Sequence, residues 1–508
     1  MNKRGYKLQK LWVEVSEEGG RNKKYYPLSV HRRKAEVLEF IGKWDEAESI
    51  YRKNLEWAKK ANEESAVADS KIRLGSLWLN KGAYTDAFVL FEEGLRLYKN
   101  LNDQKGISRA TGYIGNIHCL QSNYKKAVEC YQQQLKIYEE LGDKQSLATA
   151  VGNVGLIYHD QGDYKRAMEY YIRQLEIAQE LGDKRIISIA VGNMANVYLY
   201  QANYEKAIEY YKRQLTISEE LGYKQGICIA IGNMGLVYHE QGNYEKAKEC
   251  YQRDLNIAEE LDDKYSISCA VGNMGNVYLD QGNYEKAMEC YQRDLNIVEE
   301  LGDKRGISTA VGNIGNVYKN QGNYAKAMEC YQKQLDIDEK IGNREGVSRA
   351  LGNMGNLYKR IRDYLRAEEY YDNAITITRE LQVKYSLCEY LYWKADLCFL
   401  LQRIDEASYL NDEALQIAEE IKRPDIIFAS KLLSAKIIGQ RDKSAGIEQM
   451  KTLLKESAED SQFAHLHYEL FRLTGEQGYK TKALELYRKL YEKTPNIEYK
   501  ERIEELVS

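Results

Sequence analysis

The sequence predicts an all-α solenoid of about twelve antiparallel helix pairs. Three observations predict it. Residues recur at a fixed spacing of forty, as in Gly115, Gly155, Gly235, Gly275, Gly315 and Gly355, with Ala195 in the gap. A period of that length means stacked supersecondary units rather than one compact core. Each unit contains two stretches of helical apolar spacing. Three prolines in 508 residues leave few helix breakers.

The unit beginning at Ala270 shows the elements in order. In "AVGNMGNVYLDQ", Val271, Met274, Val277 and Tyr278 share one helix face. "QGNY" is the turn, where Gly282 suits a left-handed conformation and Asn283 an N-cap. "YEKAMECYQRDLNIVEEL" is the second helix, with Ala287, Tyr291, Leu295, Ile297 and Leu301 on one side. Gly275 and Ala287 are small so that the paired helices approach closely, and Tyr278 and Tyr291 fill the space beside them. The register runs outward to Gly75, Trp78, Ala87 and Phe91, and weakly to Ala35, Leu38, Ala47 and Tyr51.

Four segments follow. Residues 1–27 lie outside the pattern as an N-terminal arm. Residues 28–390 form the regular array. Residues 391–463 are degenerate repeats, where Ala395, Ala407 and Ala435 keep the phase but the aromatics do not. Residues 464–508 hold a last repeat, with Ala483, Tyr487 and Pro495, and a polar capping helix from 498, which solenoids need.

The order Gly, Tyr, small Ala, large aromatic resembles the tetratricopeptide repeat. The units are longer than the usual tetratricopeptide unit, and "GNxGNxY" with "LGDK" is similar to the repeats of LGN/Pins polarity adaptors. The resemblance implies a right-handed superhelix whose first helices line a concave groove that binds other proteins.

On those first helices Asn and Gly recur although both are poor helix formers. Asn153, Asn193, Asn233, Asn273, Asn313 and Asn353 stand two residues before the small position. Asn116, Asn196, Asn276, Asn316 and Asn356 stand one residue after it. The two series are three apart and share a face. An amide donates and accepts, so a ladder of amides suits the backbone of an extended segment. The alternative is that the asparagines bond to the adjacent helix and tie neighbouring repeats together. Early repeats vary beside the ladder with Leu120, His159, Leu199, Tyr200 and His239. Lys319, Arg349, Lys359 and Arg360 add positive charge to the later ones. The expected binding groove therefore comprises Asn193, Asn196, Asn233, Asn273, Asn276, Asn313, Asn316, Lys319, Arg349, Asn353, Asn356, Lys359 and Arg360, with an acidic segment as occupant. Arg173, Arg213, Arg253 and Arg293 lie on second helices, where ion pairs to glutamates of adjacent repeats are expected.

Chemistry is sparse. No GxxxxGK[ST], GxGxxG, HExxH or GxSxG is present. The nine cysteines show no zinc spacing, and their recurrence at one repeat position separates them too far for disulfides. No enzyme activity, no cofactor and no metal are expected. Net charge −4 and an isoelectric point near 6.1 argue against nucleic acid. No apolar run approaches a membrane span, and the N-terminus has no secretory h-region, so a cytoplasmic location is expected. The sequence therefore reads as a scaffold or adaptor for an extended partner segment. The alternative is a sensor that binds a small ligand or peptide and controls a partner signalling enzyme.

Overall fold

The computed structural model describes residues 26–40, 42–457 and 459–507. The proposed N-terminal arm falls almost wholly outside the described residues.

The described residues form 25 helices and no strand. Twelve antiparallel pairs follow one another. They are α1/α2 (Tyr26–Phe40, Trp44–Lys60), α3/α4 (Glu64–Asn80, Tyr84–Asn100), α5/α6 (Gln104–Leu120, Tyr124–Leu141), α7/α8 (Lys144–Asp160, Tyr164–Leu181), α9/α10 (Lys184–Tyr200, Tyr204–Glu220) and α11/α12 (Lys224–Glu240, Tyr244–Leu261). Then come α13/α14 (Lys264–Asp280, Tyr284–Leu301), α15/α16 (Lys304–Asn320, Tyr324–Ile341), α17/α18 (Arg344–Arg360, Tyr364–Leu381), α19/α20 (Lys384–Leu400, Ile404–Ile421), α21/α22 (Pro424–Arg441, Lys443–Glu456) and α23/α24 (Asp460–Thr474, Gln477–Lys493). A final helix, α25 (Ile497–Val507), covers the end and buries Leu506.

The local signals explain the ends. Gly282 adopts φ +68, and the Asn283 side chain accepts from the Lys286 backbone N–H at 3.2 Å, capping α14. Close approach explains the mid-helix glycines. A Cβ on Gly275 would stand 2.6 Å from Tyr291 Cε1, and one on Gly315 would stand 2.7 Å from Tyr331 Cε1. Each tyrosine ring therefore occupies the volume a side chain would need. Tyr171, Tyr211, Tyr251, Tyr291, Tyr331 and Tyr371 are fully buried, and each adds a large apolar area to the core of its unit.

Charge stitches the units from outside. Arg173, Arg253 and Arg293 pair with Glu139, Glu219 and Glu259 of the preceding second helix at 2.7, 3.3 and 2.8 Å. Lys144, Lys184 and Lys224 reach Glu180, Glu220 and Glu260 at 2.8 Å, joining the open ends of one pair. All are exposed, so each contributes little alone.

Most close backbone packing joins helices near in sequence, yet the superhelix turns tightly enough to touch itself. The Glu345 backbone N–H donates to Ser122 Oγ at 3.3 Å, and Gln161 Nε2 to Gln382 Oε1 at 3.5 Å, 221 residues apart. Gly42 abuts Leu301, Gly82 abuts Lys304, and Gly162 abuts Lys384. One turn therefore takes about five and a half units. The apolar core around Tyr124 and Tyr131 takes in Leu381 and Val383 of the next turn.

Candidate functional site: an amide-lined lumen

The first helix of each pair presents a stripe at i, i+4, i+8, i+11 and i+15 to the inside of the superhelix. On α13 the stripe is Tyr265, Cys269, Asn273, Asn276 and Asp280. On α15 it is Arg305, Thr309, Asn313, Asn316 and Asn320, and on α17 it is Glu345, Arg349, Asn353, Asn356 and Arg360. Because one superhelical turn sits on the next, stripes from distant repeats face a shared interior. The expected open groove is thus a partly enclosed lumen.

Two adjoining chambers lie there. The first, about 710 Å³, is lined by Asn116, Asn153, Asn273, Asn276 and Asn313 together with Arg305. The second, about 510 Å³, is lined by Asn316, Asn353, Arg305, Arg349, Tyr385 and Trp393. Arg305 belongs to both.

The two asparagine series separate here. In the second series the carbonyl is already taken. Tyr291, Tyr331 and Tyr371 hydroxyls donate to Asn276, Asn316 and Asn356 Oδ1 at 2.7, 2.6 and 2.7 Å, and Tyr131 and Tyr211 do the same to Asn116 and Asn196. Asn196, Asn276, Asn316 and Asn356 therefore satisfy the buried tyrosine of their own pair, which corrects the expectation that they serve a ligand with both amide atoms. The tie is within a repeat, not between repeats. Leu156 and Leu236 occupy the same position in two units, and there the Tyr171 and Tyr251 hydroxyls are buried without a partner. Asn276→Ala is expected to destabilise its unit by about 1 kcal/mol, less a few tenths returned by helix propensity. Leu236→Asn is expected to stabilise by a similar amount by giving Tyr251 an acceptor. Urea titration of each variant checks the pair of signs, and two changes of the same sign would refute the account.

The first series behaves differently. Asn193, Asn233, Asn273, Asn313 and Asn353 are half-buried, and among the described residues their side chains have no hydrogen-bond partner. Asn273 and Asn313 line the first chamber and Asn353 the second, and Asn193 and Asn233 hold the same stripe position on their own helices.

The cations also divide. Lys359 pairs with Asp396, and Arg360 pairs with Glu501 at 2.6 Å and Glu498 at 3.6 Å on α25. Intramolecular carboxylates thus already pair with both, so an acidic guest would compete for them with Asp396 and Glu501. Glu498 also faces His465 at 3.9 Å, and that contact first, with Arg360 helping, holds its carboxyl down at about 2. Lys319 is half-buried without an ion pair among the described residues, and burial pushes its ammonium below the usual lysine range. Arg349 is exposed to the second chamber and likewise unpaired. In the early repeats, His239 pairs with Asp280 at 2.8 Å, Leu199 is buried, and Tyr200 lines the second chamber.

Arg305 and Tyr265 escape sequence reasoning. Both head the inner stripe, one helical turn ahead of its second position. The signal was their helical spacing to the ladder, obscured because the first stripe position varies from unit to unit.

Among the described residues no cluster of His, Cys, Asp and Glu is arranged to hold a metal, and no helix is long and apolar enough to cross a membrane. The nine cysteines are free thiols.

Glycine against tyrosine in six pairs, side-chain caps at many of the turns and a lumen lined by first helices together define a tetratricopeptide repeat solenoid. The chain belongs to the family of the MalT-like TPR region, whose model matches residues 235–507. A tetratricopeptide repeat model also matches residues 106–180, 146–220 and 185–260. That establishes the repeat; the likeness to polarity adaptors remains a resemblance of the unit. No curated protein matches the sequence. Among solved structures, the chain is similar to a Rap protein complexed with competence and sporulation factor, at 18% identity and TM-score 0.49, covering 70% of this chain and 98% of that one. The Rap conjugation gene regulator of plasmid pLS20, in complex with a Phr peptide, matches at 14% identity and TM-score 0.47 over 68% and 96%. A signal transduction ATPase with a tetratricopeptide repeat sensor, from Pyrococcus horikoshii, matches at 18% and 0.40 over 68% and 55%.

Proposed function

We propose that the chain is a non-enzymatic scaffold that holds an extended segment of another protein in its lumen. One observation carries the reading: five consecutive repeats present Asn193, Asn233, Asn273, Asn313 and Asn353 inward with no partner among the described residues. A helix gains nothing from such residues, whose propensity is below that of Glu or Lys, and an amide matches a peptide unit's own donor and acceptor. Neighbouring first helices stand on the order of 10 Å apart, and an extended chain rises about 3.3 Å per residue. One amide then meets roughly every third residue of the guest.

Replacing Asn273, Asn313 and Asn353 by Ala is expected to weaken peptide binding by roughly 2–4 kcal/mol in total, at about 1 kcal/mol per lost bond, with the melting temperature unchanged or raised. Calorimetry with peptides selected on the wild-type protein reads the first, and circular dichroism reads the second. Normal affinity with early melting would make the first series structural as well.

A regulatory reading has one observation behind it. Successive superhelical turns meet through Gln161 on Gln382 and through shared apolar cores, in which Tyr124 packs with Leu381 and Tyr171 with Ile421, so a guest that changes their spacing acts on a packed seam. A partner enzyme bound outside would sense that change.

A further inference from the structure

Arg305 sits where the two chambers meet, and its guanidinium makes no hydrogen bond or ion pair to a described residue. The carboxylates around it are all engaged. Asp303 caps α15 by accepting from the backbone N–H groups of Arg305 and Gly306 at 3.0 and 3.1 Å. Asp294 accepts from the Ser268 hydroxyl. Glu345 accepts from the Tyr124 hydroxyl at 3.3 Å, Asp160 stands 3.5 Å from His159, and Glu389 stands 3.2 Å from Arg423. Arg349, also unpaired, opens on the second chamber. The Arg305 guanidinium feels Glu345 and Asp303 only through space and pairs with neither, and its planar fork matches a carboxylate brought directly onto it.

Exposed apolar side chains lie on both sides. Leu156 and Tyr265, 39% and 63% exposed, line the first chamber; Tyr200 and Tyr385, 41% and 38% exposed, line the second. Tyr200 packs edge-on against His159 and Tyr385, and these rings together present an aromatic wall to the second chamber. The ladder also continues past Arg305 in both directions, to Asn273 and Asn353. A guest chain therefore runs through this point and does not end there.

On the reading that the lumen holds an extended segment, we infer that the segment carries an internal acidic side chain seated on Arg305, with bulky apolar residues on either side. The same chemistry is available from a C-terminal α-carboxylate, so the test separates the two.

The probes are fluorescein-labelled dodecapeptide pools scanned by position, used against the full chain with anisotropy as readout. One set has amidated C-termini. A second has free C-termini and lacks Asp and Glu. Amidated pools with one fixed Asp or Glu flanked by Leu, Phe or Tyr are expected to bind best. Changing that acid to its amide should cost at least tenfold on the wild-type protein, a readout that needs no folded variant. Arg305→Gln should cost the same, Arg305→Lys less, and Arg349→Gln less again, with unchanged circular dichroism. Equal affinity of the acid and amide peptides would overturn the inference while leaving the lumen reading intact, provided Asn273→Ala and Asn313→Ala still weaken binding. Binding confined to the free-terminus set overturns the internal acid in favour of a terminal carboxylate. If no pool binds, or none senses Asn273 and Asn313, the lumen reading falls and this inference with it.

Discussion

Replacing Asp254 and Asp294 together by glutamine is expected to stabilise the protein by several kcal/mol at pH 7 and to destabilise it by about 1 kcal/mol per site near pH 3.5. The two carboxyls occupy the second-helix position that Gln134, Gln174, Gln214 and Gln334 fill in other units, and they are 6% and 7% exposed. Burial pushes each up to about 6 from 3.8. Their folded value lies above the unfolded one, so the native state binds the proton more tightly. The stability linked to each acid is complete below pH 3.8 and is lost as pH rises to about 6. Keeping such a carboxyl ionised inside the fold at pH 7 therefore costs about 3 kcal/mol per acid. The glutamines of the other units each bury an oxygen without a partner, which reduces the expected gain to roughly 2 kcal/mol per site. Urea unfolding followed by circular dichroism at both pH values reads the effect. A gain of equal size at pH 3.5 would show that shape, not charge, distinguishes the two side chains.

Tyr291→Ala is expected to cost about 3–5 kcal/mol, the range for deleting a large buried ring. Tyr291 is fully buried, fills the space left by Gly275, and packs in a cluster with Ala287, Val311 and Val317. The effect should be regional, because each unit touches mainly its neighbours. Hydrogen exchange should quicken from α12 to α17 and in α3 and α4, which the next superhelical turn lays against them, and remain unchanged in α7 and α8. Tyr291→Phe should cost only about 1 kcal/mol, the hydroxyl's bond to Asn276. Uniform acceleration across the whole chain would show one cooperative body and refute the regional account.

The helices, their pairing, the glycine–tyrosine contacts and the ion pairs of Arg173, Arg253 and Arg293 were all legible in the sequence. Each joins residues within about one unit, where apolar period and cap residues report directly on geometry. The asparagines were legible as a pattern but not as two roles. A tyrosine fifteen residues later reaches one series and misses the other, a matter of side-chain direction across two packed helices. Lys359 and Arg360 looked available because Asp396 and Glu501 lie in later units, where the repeat pattern has faded.

What the sequence determined by itself is the unit: its two helices, its turn and the tyrosine that its small residues admit, since all are settled by contacts inside some forty residues. What only the tertiary structure decided is the lumen. Small rotations between units accumulate until Ser122 meets Glu345 and Gln161 meets Gln382, and no single unit shows the pitch at which that happens. The meeting of turns encloses the amides, brings Arg305 between two chambers, and lays α25 against Arg360. A groove legible as a row of residues thereby becomes an interior with its own unpaired charge.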